Sequence, residues 1–191
     1  MEIKTSWTGW VHHESLESKQ FICGYCGKDV GAHMGYRHSR DHHAKSYLCP
    51  NCGLPTLFYG EYQSPGPLIG REILGLPEDI KSVYKEMRST IKNDDYTSTA
   101  LLGRKLIMHI AVEAGAKEGD NFKSYIDFLA QKHYVPPKAD RLLEFVRGLG
   151  NEKNHEIKLG TAEEAQKIIK FIESLLYFVY ELESEYQTSA E

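Results

Sequence analysis

The chain has 191 residues, 41% hydrophobic and 26% charged, with a formal net charge of −4 and a pI near 6.1. These values fit one or two small globular domains and argue against a grip on nucleic acid through bulk positive charge. No apolar run reaches the ~18 residues of a membrane span, and Met1–Trp10 carry no apolar segment of the secretory type; the expected location is the cytoplasm.

Residues 1–62 are rich in glycine, cysteine, histidine and aromatics, and hold six Lys+Arg against six Asp+Glu. Their short apolar stretches at 21–22, 47–48 and 57–59 predict short strands between turns. The run Gln63-Ser64-Pro65-Gly66-Pro67 is a cluster of breakers and predicts a linker over 63–76. After Pro77 the apolar period becomes helical. Helices are expected over about 78–92, 96–114, 121–132 and 137–148, with Asn93-Asp94-Asp95 breaking the first and capping the second, Gly115 ending the second, and Pro136-Pro137 opening the fourth. A fifth runs from Thr161 to about Glu185. Thr161 and Glu164 form a capping box at its start. Its apolar set, which includes Ile168, Phe171, Ile172, Leu175, Leu176 and Val179, is wider than one stripe. Such a helix is central to its own bundle or covered by a second subunit.

Cys23-Gly24-Tyr25-Cys26 and Cys49-Pro50-Asn51-Cys52 are two C-x2-C knuckles, and they use all four cysteines of the chain. A tight C-x2-C turn points two thiolates at one metal, and two such turns complete the tetrahedron that zinc prefers. Gly27 and Gly53 follow the knuckles, where a positive φ is useful. A thioredoxin-like redox site needs one such motif between a strand and a helix, not two with trailing glycines. Four sulfurs leave no open coordination position, so the expected cofactor is one structural Zn2+ on Cys23, Cys26, Cys49 and Cys52. Its binding energy supplements a core that a segment of this size cannot build alone.

The segment from His33 to Lys45 is locally basic and dense in histidine. Arg37, Arg40 and Lys45 are its candidate contacts for phosphate or an acidic partner. The plainer reading is a solvated loop, favoured because no aromatic row is interleaved with the basic residues. A second metal on His38, His42 and His43 is the least supported alternative. The resulting architecture is α+β, mostly α: a small β zinc ribbon over 1–62, a linker over 63–76 and a helical domain over 77–187.

The stretches 76–80, 100–111 and 146–155, with the Thr161 capping box and the final apolar helix, resemble the "domain of unknown function 4145" family. The Arg-x-x-Gly-Asn-x-x-x-His pattern of Arg147, Asn151 and His155 is the most specific part. The resemblance spans about 76–183. It implies a five-helix bundle similar to the HEPN group, whose domains are dimeric and include many metal-independent ribonucleases. It also implies a setting in bacteria or phage beside restriction or other defence modules, often behind a zinc ribbon. In those ribonucleases an arginine and a histidine four to six residues apart act together across a dimer, the histidine moving a proton and the arginine holding phosphate charge. Here seven residues separate Arg147 from His155, and Gly148 and Gly150 interrupt a helix between them. Arg104 and His109 have the shorter spacing but project about 140° apart on a helix. The residues therefore favour a structural or ligand-contact role for Arg147, Asn151 and His155 over catalysis.

The resulting expectation is a zinc-binding, non-catalytic interaction or adaptor module, homodimeric through its last helix, with a protein or nucleic-acid partner. The alternatives are a HEPN-like ribonuclease using Arg147 and His155, and a nucleotide or nucleic-acid binding protein using Arg147, Asn151 and His155 without cleavage.

Overall fold

The computed structural model describes residues 9–135, 144–146, 148 and 160–182. The chain forms two compact units. One closes at Ile69 and also takes Lys92–Asp94; the other begins at Gly70.

The first unit is an antiparallel five-stranded sheet in the order β1-β2-β3-β4-β5, with β1 Glu14–Ile22, β2 Asp29–Arg37, β3 Ala44–Leu48, β4 Pro55–Tyr59 and β5 Tyr62–Ser64. Its strands are longer than the apolar stretches suggest, because cross-strand pairing extends them through polar residues such as Lys19 and Gln20. A register shift between Ser15 and Lys19 bends β1. Phe21, Tyr47 and Phe58 form the aromatic centre of its core, with ring centroids 5.1–6.4 Å apart. Leu16, Val30 and Ala32 surround them, and Cys23, Cys49 and Cys52 belong to the same buried cluster. Each buried aliphatic or phenyl side chain contributes about 1.5–3 kcal/mol. So small a set makes cross-linking through the cysteines valuable.

Two expectations change here. His33–Arg37 is not a loop but the second half of β2, whose Val30 and Ala32 face inward while Gly31 and His33 face out. Gly35 hides this strand in the sequence, yet the sheet requires it: a Cβ there would lie 1.9 Å from the Ser46 carbonyl oxygen on β3. Gln63 and Ser64 belong to β5, so the strand continues past Tyr62 into the segment read as a linker.

In the second unit, α1 spans Glu78–Lys92, α2 Tyr96–Glu113, α3 Phe122–Gln131 and α4 Ala162–Leu176, and a π-helical turn over Tyr177–Glu181 extends α4. α1 starts as expected, with Glu78 and Asp79 at its positive end. Asp95 stands at the N-cap of α2, but its side chain caps nothing. Gly115 follows α2 with a φ of +98°. At α4 the capping box is formed in both directions: Thr161 Oγ1 accepts from the Glu164 N–H at 3.2 Å, and the Thr161 N–H donates to Glu164 Oε2 at 3.1 Å. Residues 144–146 and 148 are helical; the rest of the expected fourth helix lies outside the described residues.

Ile80, Met87, Ile107, Ile110, Ile126, Leu129, Ile168, Ile172 and Leu176 are fully buried in the core of this unit. α2 meets α4 closely at Gly103, where a Cβ would stand 2.5 Å from Ile168 Cγ2. The expected apolar set of α2 is not all inside, since Leu101 is exposed. Residues 70–74 are held to the same unit. Arg71 Nη1 pairs with Glu181 at 2.8 Å, the Leu74 N–H donates to the other Glu181 oxygen at 3.0 Å, and Ile73 is buried. The π-turn matters here: one extra residue in the turn rotates Glu181 inward, where it is 5% exposed. No described helix is long and apolar enough to cross a membrane.

Candidate metal centre

Both knuckles occupy hairpin turns. Cys23–Lys28 joins β1 to β2, and Cys49–Leu54 joins β3 to β4. An antiparallel meander places alternate turns at the same end of the sheet, so these two turns meet although 22 residues separate Cys26 from Cys49.

The turns repeat one geometry. The Cys23 N–H donates to the Lys28 carbonyl and the Gly27 N–H to the Cys23 carbonyl, both at 2.9 Å. The Cys49 N–H donates to the Leu54 carbonyl at 3.0 Å and the Gly53 N–H to the Cys49 carbonyl at 2.8 Å. Each turn closes on a left-handed glycine, Gly27 at φ +67° and Gly53 at φ +73°.

The four Sγ atoms lie within 4.8 Å of one another, with Cys23–Cys52 and Cys26–Cys49 both at 3.8 Å. A disulfide would need about 2.05 Å. A tetrahedron with metal–sulfur bonds of about 2.3 Å has edges of about 3.8 Å. The spacing therefore suits one ion between four sulfurs and does not suit two cystines. Burial pushes the Cys23 thiol up to about 11 and raises Cys52 further. Burial also acts upward on Cys26, but the Lys28 backbone and the Asn51 side chain together bring it below its ordinary value. A buried thiol in this setting ionises only against a positive charge, which a divalent ion supplies. The Tyr25 N–H lies 3.4 Å from the Cys23 sulfur, and Trp10 Nε1 donates to the Gly53 carbonyl at 2.7 Å, fastening the segment before β1 to the second knuckle.

The other candidates fall in different places. Arg37 and Lys45 are cross-strand partners on β2 and β3. Arg37 is committed to Glu14 at 2.8 Å, whereas Arg40 and Lys45 have no carboxylate partner among the described residues. His38 is no metal ligand: its Nδ1 accepts from the Arg40 and Asp41 N–H groups at 3.2 and 3.0 Å and shapes the β2–β3 turn. Among the described residues the four cysteines are the only cluster able to hold a metal. Arg147, Asn151 and His155 lie outside the described residues. Arg104 stacks over the Phe122 ring, while His109 stands 3.5 Å from both Asp79 and Glu113. The sequence pattern does not reveal the exposed rings of Tyr59 and Tyr62. They are not interleaved with the basic residues along the chain but are paired across β4 and β5. The alternation of Pro55–Tyr59, with Thr56 and Phe58 inside, is the signal that would have turned Leu57 and Tyr59 outward.

A model of the family described as a domain of unknown function (DUF4145) matches residues 85–191. No curated protein and no solved structure matches the chain. The family match begins within α1 and takes in α2, α3 and α4, so it covers most of the helical unit and leaves the strands of the cysteine sheet outside it. With more than half of its residues in that match, the chain belongs to the DUF4145 family.

Proposed function

We propose that this chain is a zinc-binding, non-catalytic interaction module in which the metal-held sheet presents a rigid recognition surface and the helical unit supplies self-association. The observation that carries the reading is the gathering of four cysteine sulfurs within 4.8 Å of one another, two pairs of them at 3.8 Å, with no other donor in the cluster among the described residues. Such a site is structural, because it has no position left for water or substrate. Zinc is the metal the reading names, since two C-x2-C knuckles are its usual cradle.

The resemblance to defence-associated chains supports an adaptor placed beside an effector. The ribonuclease alternative draws on Arg147 and His155, whose separation exceeds that of the active pattern.

Elemental analysis of never-chelated protein, paired with thiol titration, tests the reading. One zinc per chain and four protected thiols are expected. A metal-free preparation with four freely reacting thiols overturns it. RNA should remain intact in the presence of EDTA; cleavage that disappears in His155→Ala would instead establish the enzyme.

A further inference from the structure

A zinc ion held by four sulfurs has no open position, so its chemistry with solutes begins at a sulfur and not at the metal. The four sulfurs are not equally reachable. Cys23, Cys49 and Cys52 are 0%, 0% and 3% exposed, and Cys26 alone of the four is only partly buried. Local packing gives the reason. Cys23 and Cys49 directly follow β1 and β3 and belong with Cys52 to the buried aromatic cluster. Trp10 Nε1, bonded to the Gly53 carbonyl at 2.7 Å, ties the segment before β1 to the knuckle of Cys52. In the first knuckle, Pro65 and Gly66 close over Gly24, beside Cys23: a Cβ at Gly24 would stand 2.4 Å from the Gly66 carbonyl oxygen. The residues on either side of Cys26 are more open, with Tyr25 43% exposed, Gly27 partly buried and Lys28 exposed. The Cys26 sulfur in turn stands 3.8 Å from that of Cys49, in the other knuckle.

We infer that Cys26 is a site of covalent modification, the point at which peroxides and soft electrophiles enter the cysteine cluster, and that its oxidation joins it to Cys49 and frees the metal. The inference rests on the zinc reading and deepens it. The thiolate is the nucleophile in such reactions, and attack is selective for the thiolate that solvent reaches. The Cys26 thiolate attacks one oxygen of the peroxide; the O–O bond breaks, hydroxide leaves, and the sulfur becomes a sulfenic acid. The Cys49 thiolate then attacks that sulfur, the S–S bond forms, and a second hydroxide leaves. The sulfur pair loses two electrons and the peroxide gains them. Zinc keeps two of its four ligands and is released, and the sheet loses its cross-link. Coordination protects all four sulfurs against a brief thiol titration; what differs among them is the order in which they yield.

The test uses the full chain, with zinc counted before any reagent is added. In one arm, prolonged exposure to substoichiometric N-ethylmaleimide is followed by an acid quench and peptide mapping by mass spectrometry; the first label is expected on Cys26. In the other, limiting hydrogen peroxide is added beside a dye that reports freed zinc. One zinc should be freed for each peroxide consumed, the map should show the peptides of Cys26 and Cys49 linked, and a thiol reductant with added zinc should reverse both. Cys26→His keeps a fourth ligand that zinc accepts and should lose the peroxide-driven release; if that variant takes up no zinc, the order of labelling in the unaltered chain decides. In zinc-loaded protein, a first label on Cys23, Cys49 or Cys52, an even spread over the four, or no label at all overturns the inference and leaves the zinc reading standing. Peroxide consumed with zinc retained, or a disulfide within one knuckle, overturns it as well. A chain that holds no zinc at the outset and whose four thiols react at once fails earlier, at the zinc reading itself.

Discussion

With zinc in the four-cysteine cluster, as proposed, its removal should unfold the cysteine sheet and leave the helical unit folded. Structural zinc contributes about 10–16 kcal/mol at pH 7, comparable with or above the whole stability of a typical domain, about 5–15 kcal/mol. The aromatic cluster of Phe21, Tyr47 and Phe58 cannot replace that term. Acid should have the same effect as a chelator, and the sign is fixed by proton counting. The unfolded, metal-free chain holds four thiols at neutral pH, because a free thiol ionises near pH 8.5; the metal-bound site holds four thiolates. The unfolded state binds more protons, so stability rises with pH up to that value and falls below it. Four protons at about 1.36 kcal/mol per pH unit each give about 5.4 kcal/mol per unit. The zinc contribution is then exhausted about two to three units below neutrality, near pH 4–5. Without metal, burial keeps Cys23 and Cys52 as thiols at neutral pH, so chelation leaves an uncharged site. The assay is built into the chain: both tryptophans, Trp7 and Trp10, precede β1, and Trp10 bonds the carbonyl of Gly53 beside Cys52. Tryptophan emission therefore reports on the sheet, and far-ultraviolet ellipticity is dominated by the helices. EDTA or acid should shift the emission while most helical signal remains, and zinc at neutral pH should restore it. Unchanged emission in protein shown to be metal-free would refute the reasoning.

Three further outcomes are expected. Gly103→Ala adds a methyl 2.5 Å from Ile168 Cγ2 and 3.1 Å from Met87 Cε; overpacking of about 1–3 kcal/mol against a helix-propensity gain of about 1 leaves up to about 2 kcal/mol of destabilisation. Adding Ile168→Leu, which has no Cγ2, should recover most of it in thermal melts, and a double variant no better than the single would refute the contact. Glu181→Gln should cost about 1–2 kcal/mol, toward the low end for bonds to charged groups because Arg71 is half exposed. Burial acts upward on the Glu181 carboxyl, but Arg71 and the Leu74 N–H hold it below the usual range. Its contribution is thus present above the ordinary carboxylate range and lost as pH falls through the lowered value, so the variant should show a flatter acid limb in urea titrations; an identical limb would count against the ion pair. Leu175, 1% exposed, already packs within its own unit, so Leu175→Asp should unfold that unit. Phe178 is 40% exposed, and Phe178→Asp should lower the mass seen by light scattering with the fold retained; an unchanged mass would remove the last helix as a dimer contact.

Local signals carried much of the helical unit. The run Glu78–Lys92 and the Thr161–Glu164 capping box were readable because helix starts and apolar periods are set by neighbours three and four residues apart. The cysteine set was readable for a similar reason: each knuckle is a local turn, and ligand chemistry leaves few alternatives for two of them. What the sequence could not supply was everything decided by cross-strand partners. β2 was hidden by Gly31 and Gly35; the bare backbone of Gly35 suits the close approach of β3, but two glycines break any one-dimensional pattern. Arg37, Arg40 and Lys45 looked alike until Glu14, 23 residues away in the chain, claimed the first of them. Tyr59 and Tyr62 became one face only when β5 folded back on β4. The π-turn that carries Glu181 to Arg71 is likewise a product of packing. Composition and local spacing therefore determined the four-cysteine cluster and most helices, while the tertiary structure alone decided which charges are neutralised and which rings stand together, because those depend on contacts between residues far apart in the chain.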